Sequence, residues 1–246
     1  MKKNILAFAF AALVPVMSWA AEGPHLDHAP VDIHDTASLQ RGAKVFANYC
    51  LSCHSAKFMR YNRMAADLGI SEDEVKASMI PTGAKIGETM QITMDPVKSK
   101  AWFGVTPPDL SVIARARGAD YLYTYLRTFY KDSSRPWGVN NIALPNAAMP
   151  HVLWELQGVA EPVVTKTENA EGDTVETITG VKVTQPGKLS PAEYDQLVAD
   201  LVNYLVYMGE PAQLKRMQYG PWVLGFLVLF TIMAYLLKKE YWKDVH

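Results

Sequence analysis

From Tyr219 to Leu237 the chain runs for 19 residues without a charged side chain. No other feature narrows the possible folds as much. In lipid such a run must satisfy its own backbone polar groups, which a helix does. At helical rise it covers about 28 Å, close to one hydrocarbon core. Tyr219 and Trp222 stand at one edge and Tyr235, Tyr241 and Trp242 near the other, while Lys238 and Lys239 close the run as interfacial anchors do. A core helix would seldom be so uniformly apolar. One C-terminal membrane span is expected, with residues 215–246 as anchor and short cytoplasmic tail.

The N-terminus reads as a second targeting element. Lys2 and Lys3 precede an apolar run from Ile5 to Met17, followed by Ser18, Trp19, Ala20 and Ala21. A charged start, a short apolar stretch and a small-residue site are the marks of a secretory signal peptide, here residues 1–20. An uncleaved anchor is the alternative, but the apolar run is short for a span. Residues 21–214 are then an exported domain in a disulfide-permissive compartment. The flanking charges give only a slight positive-inside bias, so orientation rests on the signal peptide.

Between the ends, the apolar spacing is mostly helical. Residues 36–50 read as a helix with Leu39, Ala43, Phe46 and Tyr49 on one face. Ser71 with Glu74 makes a capping box for a short helix that Pro81 ends, and Asp120 can cap a helix from Tyr121 to about Tyr130. Ser190-Pro191-Ala192-Glu193 is the strongest helix start in the chain, opening a stripe through Leu205 that Gly209 and Pro211 stop. Val, Thr and Ile recurring from Pro162 to Thr184 around Glu171-Gly172-Asp173 read as a strand hairpin off the helical core. Residues 81–109 and 131–150 read as long loops. The expected fold is mainly α with long loops and a small β-hairpin, plus one transmembrane helix.

The only two cysteines fall in Cys50-Leu51-Ser52-Cys53-His54. Cys-x-x-Cys-His is the c-type haem attachment sequence. Two thiols three positions apart on one turn can each add to a vinyl group of one porphyrin, and the next His then points at the iron from the same side. A thioredoxin-like dithiol is the rival, but no strand leads into the motif and no βαβ pattern surrounds it. A zinc site lacks a second Cys or His pair at ligand spacing. A two-haem peroxidase would need a second copy of the motif. One covalent haem c with His54 as proximal ligand is therefore expected.

A low-spin carrier needs a sixth ligand. His25, His28 and His34 lie on an extended arm, His246 is in the cytoplasmic tail, Met217 and Met233 lie at or in the anchor, and Met208 ends a core helix. Met149 stands in Pro145-Asn146-Ala147-Ala148-Met149-Pro150, where small neighbours allow close approach to a ring. His151, two residues on, is its local rival, and spacing alone leaves both open.

Further motifs then align with one family. Pro107-Pro108-Asp109-Leu110-Ser111, Arg115-Ala116-Arg117, Asp120-Tyr121 and Ala148-Met149-Pro150 follow the haem motif in order across almost all of the mature chain. With the signal peptide and C-terminal span, this resembles the cytochrome c1 family, bacterial type, the c-haem subunits of the cytochrome bc1 complex (ubiquinol–cytochrome c reductase). The resemblance implies a cytochrome c-like domain in which Cys50 and Cys53 hold the haem, and His54 and Met149 ligate its iron. Arg117 is implied to pair with a propionate, Tyr121 to lie beside the haem, and Pro107 and Pro108 to line its pocket. Without the family, Arg115 and Arg117 would read as a solvated helix face. The sequence departs from the mitochondrial pattern: only Gly118 and Ala119 separate Arg117 from Asp120, and no cysteine outside the haem pair can brace the distal loop.

The implied function is electron transfer from a Rieske iron–sulfur protein to a soluble cytochrome c, with cytochrome b as membrane partner. The chain would be a single-pass protein of the bacterial inner membrane with its haem domain in the periplasm. The complex is a redox enzyme; this chain alone is a carrier without catalytic residues. The alternatives are an anchored cytochrome of another respiratory oxidase or reductase, or an exported thiol oxidoreductase using Cys50 and Cys53. Charge argues against nucleic acid as a partner. The whole chain has 24 basic and 25 acidic residues, but signal peptide and anchor take seven of the basic ones, leaving the exported domain at 17 against 23, a formal −6.

Overall fold

Asp35 opens the first helix by accepting the N–H of Ser38 on its carboxylate. In the computed structural model, residues 25–92, 94–168 and 174–244 are described. The predicted signal peptide, the Glu171-Gly172-Asp173 turn and His246 lie outside the described residues. Helix α1 (Thr36–Val45) passes directly into a widened π-turn, Phe46–Cys50, which carries the first cysteine. The expected single helix over 36–50 is thus continuous but changes its hydrogen-bond step just before the motif.

The chain continues through β1 (Ala56–Arg60), α2 (Tyr61–Leu68), α3 (Glu72–Ser78), β2 (Thr89–Met90) and α4 (Pro96–Phe103). Next come α5 (Ile113–Arg117), α6 (Ala119–Arg127), β3 (Phe129–Lys131), β4 (Val139–Asn141) and α7 (Trp154–Gln157). A long hairpin, β5 (Gly158–Glu168) and β6 (Thr174–Pro186), precedes α8 (Pro191–Gly209) and the anchor α9 (Gln213–Tyr241). The strands pair antiparallel as β1–β2, β3–β4 and β5–β6. The fold is mainly α with small hairpins, as expected.

The core lies where α1 and α6 pack on α8. Gly42 lets α1 approach closely: a Cβ there would overlap the Asp200 carbonyl and crowd Tyr204. Across the same contact, Arg41 grips the buried Asp200 carboxylate with Nε at 2.6 Å and Nη2 at 2.9 Å. Phe46, Met64, Val198, Val202 and Tyr204 fill the interior. The α8 start is as read from sequence: Ser190 and Glu193 form a full reciprocal capping box with Pro191 in the first turn.

Several local expectations need correction. Asp120 does not cap its helix; α6 begins at Ala119, and the Asp120 carboxylate instead accepts Ala29 N–H at 2.8 Å. That helix ends at Arg127, and Phe129–Lys131 turns into a strand. The capping at Ser71 is one-sided, with Ser71 accepting from Glu74 N–H, and α3 ends at Ser78, before Pro81 is reached. The supposed loops 81–109 and 131–150 contain α4 and the short strands β2 and β4. The hairpin extends a few residues beyond its expected ends on both strands.

Helix α9 continues through Pro221 and includes the predicted span. It is the one helix among the described residues long and apolar enough to cross a membrane, with a mean hydropathy of 2.0 and none of its apolar window buried. A helix apolar all round and left uncovered is suited to lipid.

Candidate functional site

Cys50, Cys53, His54, Pro107, Pro108, Arg117, Tyr121 and Met149, the residues that the resemblance implies for haem binding, line one cleft of about 400 Å³. Its walls come from the motif turn, the Pro107–Ile113 segment, α6, the loop 144–150, and Leu201 and Leu205 of α8. The stripe residues Leu122, Tyr125 and Leu126 face it from α6.

The motif turn follows from α1. Cys53 and His54 both donate their N–H groups to the Cys50 carbonyl, at 3.0 and 2.9 Å, so cysteines and histidine are wound on one turn. Both cysteines are half-buried free thiols. Desolvation, aided by neighbouring Cys53, pushes the Cys50 thiol up to about 12 and keeps it protonated.

His54 is oriented by the Pro-Pro-Asp-Leu-Ser segment. Its Nδ1 lies 2.8 Å from the Pro108 carbonyl oxygen. A carbonyl only accepts, so Nδ1 carries the proton and Nε2 keeps its lone pair. Burial lowers the imidazole pKa, more than the Pro108 carbonyl and Asp109 raise it, which favours the neutral ring a metal requires.

The same segment is stitched to the chain just after the motif. Asp109 accepts Lys57 N–H at 3.1 Å and Ser111 N–H at 2.9 Å; Ser111 Oγ accepts Phe58 N–H; and Leu110 N–H donates to the Ser55 carbonyl. Burial works against the Asp109 charge, but the bonds from Ser111 and Lys57 outweigh it and hold the carboxyl below its ordinary value. Asp109 and Ser111 were visible only as part of the motif, without a role; the structure gives them one.

Arg117 ends α5, and Gly118, at φ +86°, turns the chain directly into α6. The short link noted in the sequence is therefore a break between two helices that a left-handed glycine makes possible. Arg117 lies over the Tyr121 ring, 5.4 Å from its centroid, and forms no ion pair among the described residues. Arg115 instead pairs with Glu210, so the two arginines differ in role.

The rival ligands are placed elsewhere. His151 does not line the cleft; it stacks on Phe129 at 4.8 Å, and burial pushes it down to about 4, with Gln157 opposing. His28 sits 3.4 Å from Asp120, His34 is exposed, His25 borders a separate groove under the hairpin, and Met208 is buried in the core. Met217 and Met233 are exposed on α9.

A haem c fits the donor set of this cleft. It offers two unpaired thiols, an imidazole with a free nitrogen, a thioether, a guanidinium without a carboxylate partner and mostly apolar walls. Among the described residues, no group of three or more His, Cys, Asp or Glu is placed to hold a bare metal ion.

Comparison with known proteins agrees. The model of the Cytochrome C1 family matches residues 25–245. A cytochrome c1 of Allochromatium vinosum is 50% identical over 247 residues, covering the full length of both chains. A protein named ammonia monooxygenase gamma subunit, from Nitrosomonas europaea, is 53% identical over 223 residues, 90% of this chain and 89% of that one. A cytochrome b/c1 of Bradyrhizobium diazoefficiens is 26% identical over 264 residues, spanning 94% of this chain but 36% of the relative.

Proposed function

The chain belongs to the cytochrome c1 family, and from that premise we propose that it is a membrane-anchored monohaem c-type cytochrome of a quinol–cytochrome c reductase. It takes electrons from a Rieske iron–sulfur protein and gives them to a soluble cytochrome c. Residues 21–214 form the periplasmic haem domain, released from a leader of residues 1–20. Residues 215–246 hold it in the bacterial inner membrane against cytochrome b.

The observation that carries this reading is the convergence of both cysteines, His54 and Met149 on one largely apolar cleft. Bound there, one haem supplies an iron that changes by a single electron. Cys50 and Cys53 would hold it through two thioethers. His54 presents Nε2, its tautomer fixed by Pro108. Met149 presents a thioether, which favours the reduced iron and raises the potential. Arg117 offers its guanidinium to a propionate, a geometry guanidinium suits. Pro107, Pro108 and Tyr121 exclude water from the ring. With His54 and Met149 both engaged, the iron would carry electrons rather than bind a substrate.

The relative named cytochrome b/c1 supports partnership with cytochrome b. The relative named ammonia monooxygenase gamma subunit supports a second reading, in which the same haem domain serves a monooxygenase complex. Purification in mild detergent with identification of co-purifying subunits separates the two. Cytochrome b and a Rieske protein are expected; monooxygenase subunits in their place would move the chain to the second reading. A haem stain on a denaturing gel tests both, and a chain without covalent haem overturns them.

A further inference from the structure

The loop that carries Met149 has little to hold it. Residues 144–150 all line the cleft, and their sequence is Leu-Pro-Asn-Ala-Ala-Met-Pro. Both cysteines belong to the haem motif, so no covalent cross-link reaches this loop. Yet it is ordered from one side by two consecutive asparagines at the end of β4. Asn140 pairs in register with Tyr130 and Asn141 with Phe129, so the hairpin fixes both backbones.

Their carboxamides then reach forward. Asn141 Oδ1 accepts the N–H groups of Ala143 at 2.9 Å and Leu144 at 3.2 Å. Asn140 Oδ1 accepts Asn141 N–H at 2.9 Å and Asn146 N–H at 2.7 Å. The two amide nitrogens reach backward: Asn141 Nδ2 donates to the Tyr125 carbonyl at 2.7 Å, and Asn140 Nδ2 donates to Asp132 at 2.9 Å. Asn141 thus bridges the loop to the helix that forms a wall of the cleft, and Asn140 bridges it to the turn that follows β3.

Asn146 is the single non-glycine residue with positive φ among the described residues, at +64°. Its N–H is held by Asn140, and Arg135 Nη2 donates to its carbonyl at 3.2 Å. This left-handed residue reverses the chain three positions before Met149. Asn141 is fully buried, where an unpaired carboxamide would be costly; all its polar atoms have partners. Only asparagine supplies this pattern. Aspartate has no donor and brings a buried charge, and glutamine is a methylene too long.

We propose that Asn140 and Asn141 are positioning residues for the distal side of the cleft: they clamp the 142–146 backbone so that Met149 is presented to the iron in a single conformation. The inference rests on Met149 being the distal ligand. Without the clamp, a loop of small residues would sample many backbone states, and ligation would have to order it each time.

The test uses the full chain in its detergent-purified complex. Asn141→Leu keeps the branched four-atom outline, with somewhat more bulk, and removes the polar atoms. It is expected to keep covalent haem on a denaturing gel, to lose most of the long-wavelength absorption band specific to methionine ligation, to lower the potential, and to let the reduced haem bind carbon monoxide. Asn140→Ala should move the same readouts in the same direction. A folded Asn141→Leu with unchanged band, potential and carbon monoxide binding overturns the proposal. Met149→Leu run in parallel guards the premise: if it too leaves band and potential unchanged, the ligand assignment has failed rather than the clamp. Should Asn141→Leu not assemble, amide exchange on the wild-type complex decides. The Ala143, Leu144 and Asn146 amides should exchange roughly a hundredfold slower than in an open loop; exchange at open-loop rates overturns the clamp.

Discussion

The carbonyl oxygen of Pro108 accepts the Nδ1 proton of His54 across 2.8 Å, so a residue 54 positions away sets the tautomer of the motif histidine. The two prolines restrict the backbone that offers this carbonyl, and Pro108, lacking an N–H, has no competing donor. The carbonyl itself cannot be removed by mutation, but the residue that fixes it can. Asp109 accepts two backbone N–H groups, from Lys57 and Ser111.

Asp109→Ala leaves both N–H groups without their acceptor. It should cost about 1–3 kcal/mol, measured by thermal or denaturant unfolding of the haem-loaded chain. The pH dependence has a definite sign. Because the folded Asp109 carboxyl is held below its ordinary value, its contribution is complete above the unfolded value of about 3.9 and is lost as pH falls through the lowered folded value. The stability gap between wild type and Asp109→Asn should therefore be flat at neutral pH and narrow only in acid. A gap that narrows on going alkaline would contradict this assignment.

Met149→Leu replaces the thioether with a hydrocarbon of similar size. In the proposed assignment haem is attached through Cys50 and Cys53, so attachment should persist. The potential should fall by on the order of 100 mV or more, because the ligand favouring reduced iron is gone. Redox titration of the purified complex checks it, and oxidation by the soluble acceptor should slow in the same preparation. A potential equal to wild type would return attention to His151, despite its stacking on Phe129 outside the cleft.

What was legible in the sequence was local. Ser190 and Glu193 announce α8 because capping chemistry is confined to four residues. The uncharged run announces α9 because composition alone makes it lipid-compatible. Asp120 misled because it has the right residue type for an N-cap, while a partner 91 positions away, Ala29 N–H, takes its carboxylate. The site divides the same way. Cysteine spacing marks the motif turn, but nothing within Val139-Asn140-Asn141-Ile142 distinguishes a buried clamp from an exposed turn. Asp109 and Ser111 likewise act on Lys57 and Phe58, distant in sequence, so only a family resemblance could single them out. The strands β3 and β4, three residues each, are too short for alternation to show.

In the proposed reading, the formal −6 of residues 21–214 bears on the choice of acceptor. An acidic surface raises encounter rates with a basic carrier, and salt screens that field within about 10 Å at 0.1 M. Stopped-flow reduction of a basic soluble cytochrome c should therefore slow as ionic strength rises, while an acidic carrier should show the opposite trend. A rate independent of salt for both would remove electrostatic steering from the account.

Gly42 offers the sharpest test of how the haem motif is supported from behind. It sits on α1 one turn before Phe46, facing the Asp200 carbonyl on α8, and the π-turn with Cys50 follows directly. A methyl there cannot be absorbed by a flexible side chain, because what it meets is backbone. Gly42→Ala must push α1 off α8, straining the Arg41–Asp200 ion pair that bridges the same contact. Helix propensity favours alanine by about 1 kcal/mol, while overpacking a close contact costs about 1–3 kcal/mol or more. The packing term wins, and the variant should melt lower than wild type. If displacement of α1 also tilts the motif turn, the potential shifts with it; Arg41→Met, which loses the ion pair but adds no bulk at the contact, should lower the melting temperature while leaving the potential in place. A Gly42→Ala chain as stable as wild type would mean that the two helices are not held as closely as they are seen here.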